Sequence, residues 1–205
     1  MKHSLNTFLT LLFVCASAWG ENVPWQNPQI NEINREPAHA HFIPYTNEAN
    51  ALKQQALPAA QRFAVNPATE RRISLDGTWK FLFSKNNEEC PTDFYKMGYN
   101  TKRWKDIQVP GSWELQGFDS PIYTDVAYPF PANPPHVPTD YNPVGAYVRE
   151  FTVPAHWKGM DIFLDFEGVE SAFYCWVNGE LAGYSEDSRL SLIHISEPTR
   201  LRRIS

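Results

Sequence analysis

Residues 121–145, PIYTDVAYPFPANPPHVPTDYNPVG, hold seven prolines, at 121, 129, 131, 134, 135, 138 and 143. Each removes a backbone donor and fixes its own φ, so neither a helix nor a central strand can run through this stretch. It must be a long loop. Loops of this length inside a compact domain generally serve function. Here Tyr123, Tyr128, Phe130 and Tyr141 supply apolar anchors, by which the loop is expected to pack like a small core and present its polar groups at a site.

The chain that must support this loop has 205 residues, 42% hydrophobic and 14% aromatic, enough for one domain with a sizeable core. Aromatics at that density fill β-sandwich cores and also line sugar sites, and the count does not choose between them. Residues 21–68 are polar and proline-punctuated, with one short helix at 48–55 confined between Pro44 and Pro58. This segment reads as an arm lying on something else. His39 and His41 would share a strand face, but without a third ligand nearby they read as a surface pair.

At Arg71 the pattern changes. Asp76-Gly77 makes a turn, after which Trp79, Phe81 and Phe83 fall on one strand face. Residues 86–100 read as a polar connection, 104–109 as a short strand, and Pro110-Gly111 as a turn. Beyond the loop, Tyr147, Arg149, Phe151 and Val153 alternate with Val148, Glu150 and Thr152 in a half-buried strand stopped by Pro154. Ile162, Leu164 and Phe166 alternate in the next. Residues 172–177 then run into Asn178-Gly179, the strongest short signal of a type I′ hairpin, with 180–184 returning. Short strands with turn signals and no long helix point to an all-β antiparallel sandwich.

Both ends read differently from the middle. Residues 1–20 have Lys2 and His3, an apolar run at 9–14, and small residues at Ala16, Ser17 and Ala18, the pattern of a signal peptide cleaved after Ala18 or Gly20. The chain is therefore expected to be exported, to the periplasm or beyond. Cys15 leaves a lipoprotein alternative, which Val14 disfavours. Export leaves Cys90 and Cys175, which could pair in an oxidising compartment but read as free thiols. At the other end, SLIHISEPTR with Leu190 resembles the in-frame translation of a transposase adapter used in sequencing libraries, so residues 191–205 read as a non-native tail. The whole chain carries a net charge of −5, and Lys2 and the tail arginines make the middle more acidic still. That balance argues against nucleic acid or an anionic membrane as partner.

The segments WQNPQINEINREPAHA, SLDGTWKFLF, VPGSWELQGFDSPIYTDVAYPF, NPPHVP, NPVGAYVREF and FEGVESAFYCWVNGELAGYSEDSR together resemble the N-terminal part of family 2 glycoside hydrolases of the β-galactosidase type. Related β-glucuronidases and β-mannosidases share the sandwich and the hairpin but lack this proline-rich loop. The resemblance implies a jelly-roll, galactose-binding-like β-sandwich at 71–190, incomplete here, preceded by an irregular arm at 21–70. In such enzymes an immunoglobulin-like domain and a catalytic barrel follow.

It further implies that the asparagine of the NPP motif, Asn133, is substrate-binding and helps hold the galactosyl group. An amide suits that role, offering two donors and an acceptor without charge. The retaining mechanism of the family uses two glutamates about 5–5.5 Å apart. Both belong to the barrel, so no catalytic and no metal residue is assigned here. Glu88 with Glu89, and Glu186 with Asp187, are sequence neighbours that would point to opposite strand faces. His136, Asp140 and Asp187 are minor candidates, better explained by loop structure or, for Asp187, a pairing with Arg189. Magnesium and sodium are implied for the full-length parent, with no cofactor in this part, along with a galactoside substrate and homo-oligomerisation. The competing readings are a stand-alone carbohydrate-binding module and a structural interaction fragment.

If the tail is foreign, DNA amplified from the source with a primer in codons 169–184 will depart from this sequence at Leu190 or Ser191. Recovery of the same codons through 205, followed by a stop, would overturn that reading.

Overall fold

The computed structural model describes residues 23–37, 42–58, 71–121 and 130–186, and the backbone of a strand at 193–196. Residues 1–22, His39, His41, Tyr123, Tyr128, Asp187, Arg189 and residues 197–205 lie outside the described residues. Those described form β1 (Glu32–Ile33), α1 (Glu48–Gln55), β2 (Gly77–Ser84), β3 (Lys105–Val109), β4 (Val144–Val148), β5 (Phe163–Phe166), β6 (Ala172–Val177), β7 (Glu180–Glu186) and β8 (Ile193–Ser196). All strand pairs are antiparallel, in the orders β1-β7-β6, β3-β2-β4 and β5-β8. This is an all-β, incomplete sandwich.

β2 lies at the centre and is covered on both faces. On one, Phe81 is fully buried, its ring 4.6 Å from Phe118, 4.7 Å from Tyr147 and 6.0 Å from Trp113. Trp79 meets Tyr147, and Phe83 meets Trp113, along the same face. The alternation in the sequence is thus real. On the other face Leu82 packs against Cys90, Trp104 and Ala146, joined by Phe94 and Tyr99. The polar connection at 86–100 therefore also supplies core. Burying one such aromatic or leucine side chain is worth about 1.5–3 kcal/mol.

β4 differs from the sequence reading. It starts earlier, at Val144, and leaves the ladder after Val148 pairs with Lys80, well before Pro154. The cause is Arg149. Its guanidinium turns back onto β2, donating to the Thr78 carbonyl at 3.0 Å and lying 5.8 Å from the centre of the Trp79 ring. Gly77, at φ 123°, opens the space for it, since a Cβ there would meet Arg149 Nη1 at 3.3 Å.

The hairpin forms as expected, with φ 53° at Asn178 and 89° at Gly179, the pair of positive values that a type I′ turn requires. β7 runs on to Glu186, past the expected end at Tyr184, where β6 pairs with it on one side and the arm on the other. Glu32 and Ile33 face Ser185 and Tyr184, Glu186 N–H donates to Asn31 O at 2.9 Å, Asn34 Nδ2 to Ala182 O at 2.6 Å, and Arg35 Nη1 to Ser185 Oγ at 3.1 Å. α1 has the expected bounds, with Asn47 Oδ1 accepting from Asn50 N–H at its start. β8 takes the open edge of β5, Phe163 facing Ser196 and Phe166 facing Ile193. Backbone pairing of that kind makes little demand on sequence.

Two aromatic residues of the 86–100 connection bridge the sheets. Phe94 lies 5.9 Å from Trp104 and 5.6 Å from Trp176, and Tyr95 stacks on Trp176 at 5.0 Å. From Trp176 the row continues through Tyr174 to Tyr184, which is fully buried and donates to the Glu186 carboxylate.

Two predictions follow from this packing. A Cβ on Gly145 would stand 2.6 Å from Trp113 and 2.7 Å from Phe81 ring carbons, so Gly145→Ala should destabilise the chain by about 1–3 kcal/mol. Gly168→Ala, with nothing within 4 Å, should stay within about 0.5 kcal/mol of the parent. Equal urea midpoints for the two variants would refute the close packing. Burial also pushes the Tyr147 and Tyr174 phenols up to about 12, and Tyr184 is raised by burial and by its bond to Glu186. Between the ordinary tyrosine range near pH 10 and about pH 12, the folded chain keeps protons that the unfolded chain releases, so stability should fall as pH rises through that window. Ultraviolet titration should show phenols still protonated at about pH 11 while the fold persists; ionisation of every tyrosine near pH 10 in the folded chain would contradict it.

Candidate functional site

The proline-rich loop leaves the β-structure after Phe118 and rejoins it at Val144. Its described parts are held at several points. On the outgoing limb, Gln116 acts as a side-chain strand for the edge of β3: its Oε1 accepts from Gln108 N–H at 2.7 Å, and its Nε2 donates to Gln108 O at 2.9 Å. On the returning limb, Asn142 N–H donates to Lys85 O at 3.0 Å, and Asn86 Nδ2 to Asp140 O at 3.2 Å. Between the limbs, the Tyr141 hydroxyl donates to Asp119 Oδ2 at 2.7 Å. Tyr141 is therefore a hydrogen-bonded surface group, 38% exposed, and not the apolar anchor expected from the sequence. Phe130 is half-buried, as an anchor should be.

At the crest, His136 N–H donates to Asn133 O at 2.8 Å, closing the four residues Asn133, Pro134, Pro135 and His136 into one turn. The Pro134–Pro135 bond is cis, which makes this a type VI turn. Two prolines in the middle leave the turn almost no torsional freedom. The Asn133 side chain is exposed and makes no hydrogen bond to the described residues. The sequence candidate is thus an amide with its donors and acceptor unspent, on a rigid support. His136 is exposed beside it, and Asp140 serves the loop through its backbone carbonyl.

The remaining candidates have local duties. Glu89 accepts from Lys85 N–H at 3.3 Å while its own N–H donates to Asn86 Oδ1 at 2.9 Å, a turn-forming carboxylate. Glu186 is taken up by Tyr184. Cys90 and Cys175 are free thiols in separate apolar clusters, and burial raises both, Cys175 to about 12, which makes them poor nucleophiles. Among the described residues no three His, Cys, Asp or Glu side chains come together as a metal site. No described helix is long and apolar enough to cross a membrane.

In the aromatic row Trp176 stacks on Tyr95 with planes 12° apart and on Tyr174 with planes 22° apart. Of the two uses of aromatics that the composition allowed, this row serves the core. Between the sheets, the arm and the loop lies an open cleft of about 3900 Å³. Pockets for small ligands run to roughly 300–1000 Å³. The cleft is the unfilled interior of an incomplete sandwich, and Asn133, Asp119 and Trp113 are on its walls.

Sequence reasoning missed the Asp119–Tyr141 bond, because nothing in a chain pairs two polar residues 22 positions apart. It also missed the Trp113 indole N–H, buried without a partner. Asp119 stands in GFDSP and adopts φ 64°, a conformation in which Asp is enriched, and this was the one available signal of its special position.

Comparison with known proteins bears on what this loop serves. The family model described as "Glycosyl hydrolases family 2, sugar binding domain" matches residues 73–195. A beta-galactosidase of Priestia megaterium is 43% identical over 166 residues, 79% of this chain and 15% of the relative. Another from Halalkalibacterium halodurans is 40% identical over 172 residues, 82% of this chain and 16% of the relative. One from Leuconostoc mesenteroides is 43% identical over 169 residues, 81% and 15% respectively. The chain thus spans about 15% of the length of the relatives it matches.

Proposed function

This chain belongs to glycosyl hydrolase family 2, to which its sugar-binding domain assigns it, and from that premise we propose that it is the N-terminal part of a β-galactosidase. The parent would hydrolyse terminal non-reducing β-D-galactose residues with retention. The observation that carries the reading is Asn133: an exposed, unpaired amide on a doubly proline-braced turn, at the crest of the loop that distinguishes the β-galactosidase type.

In this reading the chain supplies positioning, and the acid/base and nucleophile come from elsewhere in the parent. Asn133 would bond sugar hydroxyl groups, both accepting and donating, and hold them whatever the protonation of the reacting carboxyls. Without those carboxyls the 205-residue chain alone should be inactive. Magnesium and sodium would be held mainly by residues of the parent outside this chain. Export by the leader at 1–20, domain bounds at 21–70 and 71–190, a foreign tail at 191–205 and assembly of the parent into a homo-oligomer belong to the same proposal.

In the full-length parent, Asn133→Ala should lower kcat/KM for a β-galactoside by about 1–3 kcal/mol of transition-state binding, with an unchanged melting temperature. An unaltered kcat/KM would remove Asn133 from the site.

A further inference from the structure

Asn133 stands about midway along the loop in sequence, and prolines alone do not fix where its turn stands. They stiffen the chain locally; the position of the whole excursion is set by its limbs. Each limb is tied to the sheet separately, the outgoing one through Gln116 on β3 and the returning one through Asn142 and Asp140 on the turn after β2. The Tyr141–Asp119 bond is different in kind, since it joins limb to limb across 22 residues of chain. Asp119 is held at φ 64°, which directs its carboxylate from a fixed backbone, and Pro121 and Pro143 stiffen the chain just beyond each partner. We propose that Tyr141 and Asp119 form a latch that closes the base of the loop and so positions Asn133 against the galactoside. They are positioning residues, and this inference rests on the reading of Asn133 as a sugar contact.

Both partners are at least partly open to solvent, so the bond adds little to global stability. Its effect is local. Closing a loop of this size restricts the excursion that carries the turn, which converts a modest bond into a narrower distribution of Asn133 positions. The hydrogen bond to Asp119 is also what chiefly raises the Tyr141 phenol, a group that is already a protonated donor at neutral pH. Glu114 adds to that rise.

The test uses the full-length parent and four variants. Tyr141→Phe removes only the hydroxyl; Asp119→Asn keeps an acceptor and tolerates positive φ; Asn133→Ala and the double variant Asn133→Ala/Tyr141→Phe complete the set. Tyr141→Phe should speed hydrogen–deuterium exchange in peptides covering residues 122–140 and lower kcat/KM roughly two- to tenfold. Asp119→Asn, which keeps an acceptor for the Tyr141 hydroxyl, should leave both close to those of the unaltered parent. In the Asn133→Ala background, Tyr141→Phe should cost almost nothing more, because the latch acts through Asn133. Unchanged exchange in Tyr141→Phe would overturn the latch, and additive losses in the double variant would overturn positioning through Asn133. Were Asn133→Ala silent, the sugar contact and with it the positioning role would fall, while faster exchange in Tyr141→Phe would still support a latch.

Discussion

The structure turns on a close approach that only glycine permits. Gly145 lies against the rings of Trp113 and Phe81, leaving no room for a Cβ. This contact joins the strand after the loop, the segment before it and the centre of the sheet at one point. Trp113 precedes the proline-rich stretch and Gly145 ends it, so the same packing that seals one face of β2 also brings the loop's two ends together. From there Phe81 continues to Phe118 and Tyr147, and β4 is set in register with β2. The loop is an outgrowth of the core, and its base is as well determined as the core is.

Much of this was legible in the sequence wherever a local rule has a local cause. The alternation of Trp79, Phe81 and Phe83, the Asn178-Gly179 hairpin and the bounds of α1 each follow from spacing, turn chemistry or capping within a few residues. What failed was non-local. The 147–153 alternation ought to have been a strand, but Arg149 has a better partner in the Thr78 carbonyl and the Trp79 ring than continued pairing would give it. Periodicity reports which residues want burial; it does not report a cation that prefers to fold back. The second covered face of β2 was hidden for a similar reason, because Cys90, Phe94 and Tyr99 arrive from a connection whose composition is polar. Tyr141 is the same lesson in the candidate site: an aromatic residue in a loop reads as an anchor until an acceptor is found for its hydroxyl.

The motif around Asn133 marks it as a candidate in the sequence, whereas its physical condition was not legible there. The motif says that an asparagine stands before two prolines; only the structure adds that its carbonyl closes the turn while its side chain is left unspent. Those two facts divide the residue's work. The backbone satisfies the turn, so the side chain owes nothing to folding and can be committed to a ligand.

That division also limits what the loop can do in isolation. An exposed amide is already hydrogen-bonded to water, and exchanging water for a sugar hydroxyl gains little by itself. The gain comes when a second surface covers the site, excludes water and makes each hydroxyl that lacks a partner costly. A turn braced by two prolines is suited to that situation, since it can be pressed against another surface without rearranging and has little freedom left to lose on binding. The rigidity of the loop and the solvation of Asn133 therefore point the same way. On the proposed reading of Asn133, the loop would complete a site whose other wall the parent supplies, and affinity for sugar should appear only where that wall is present.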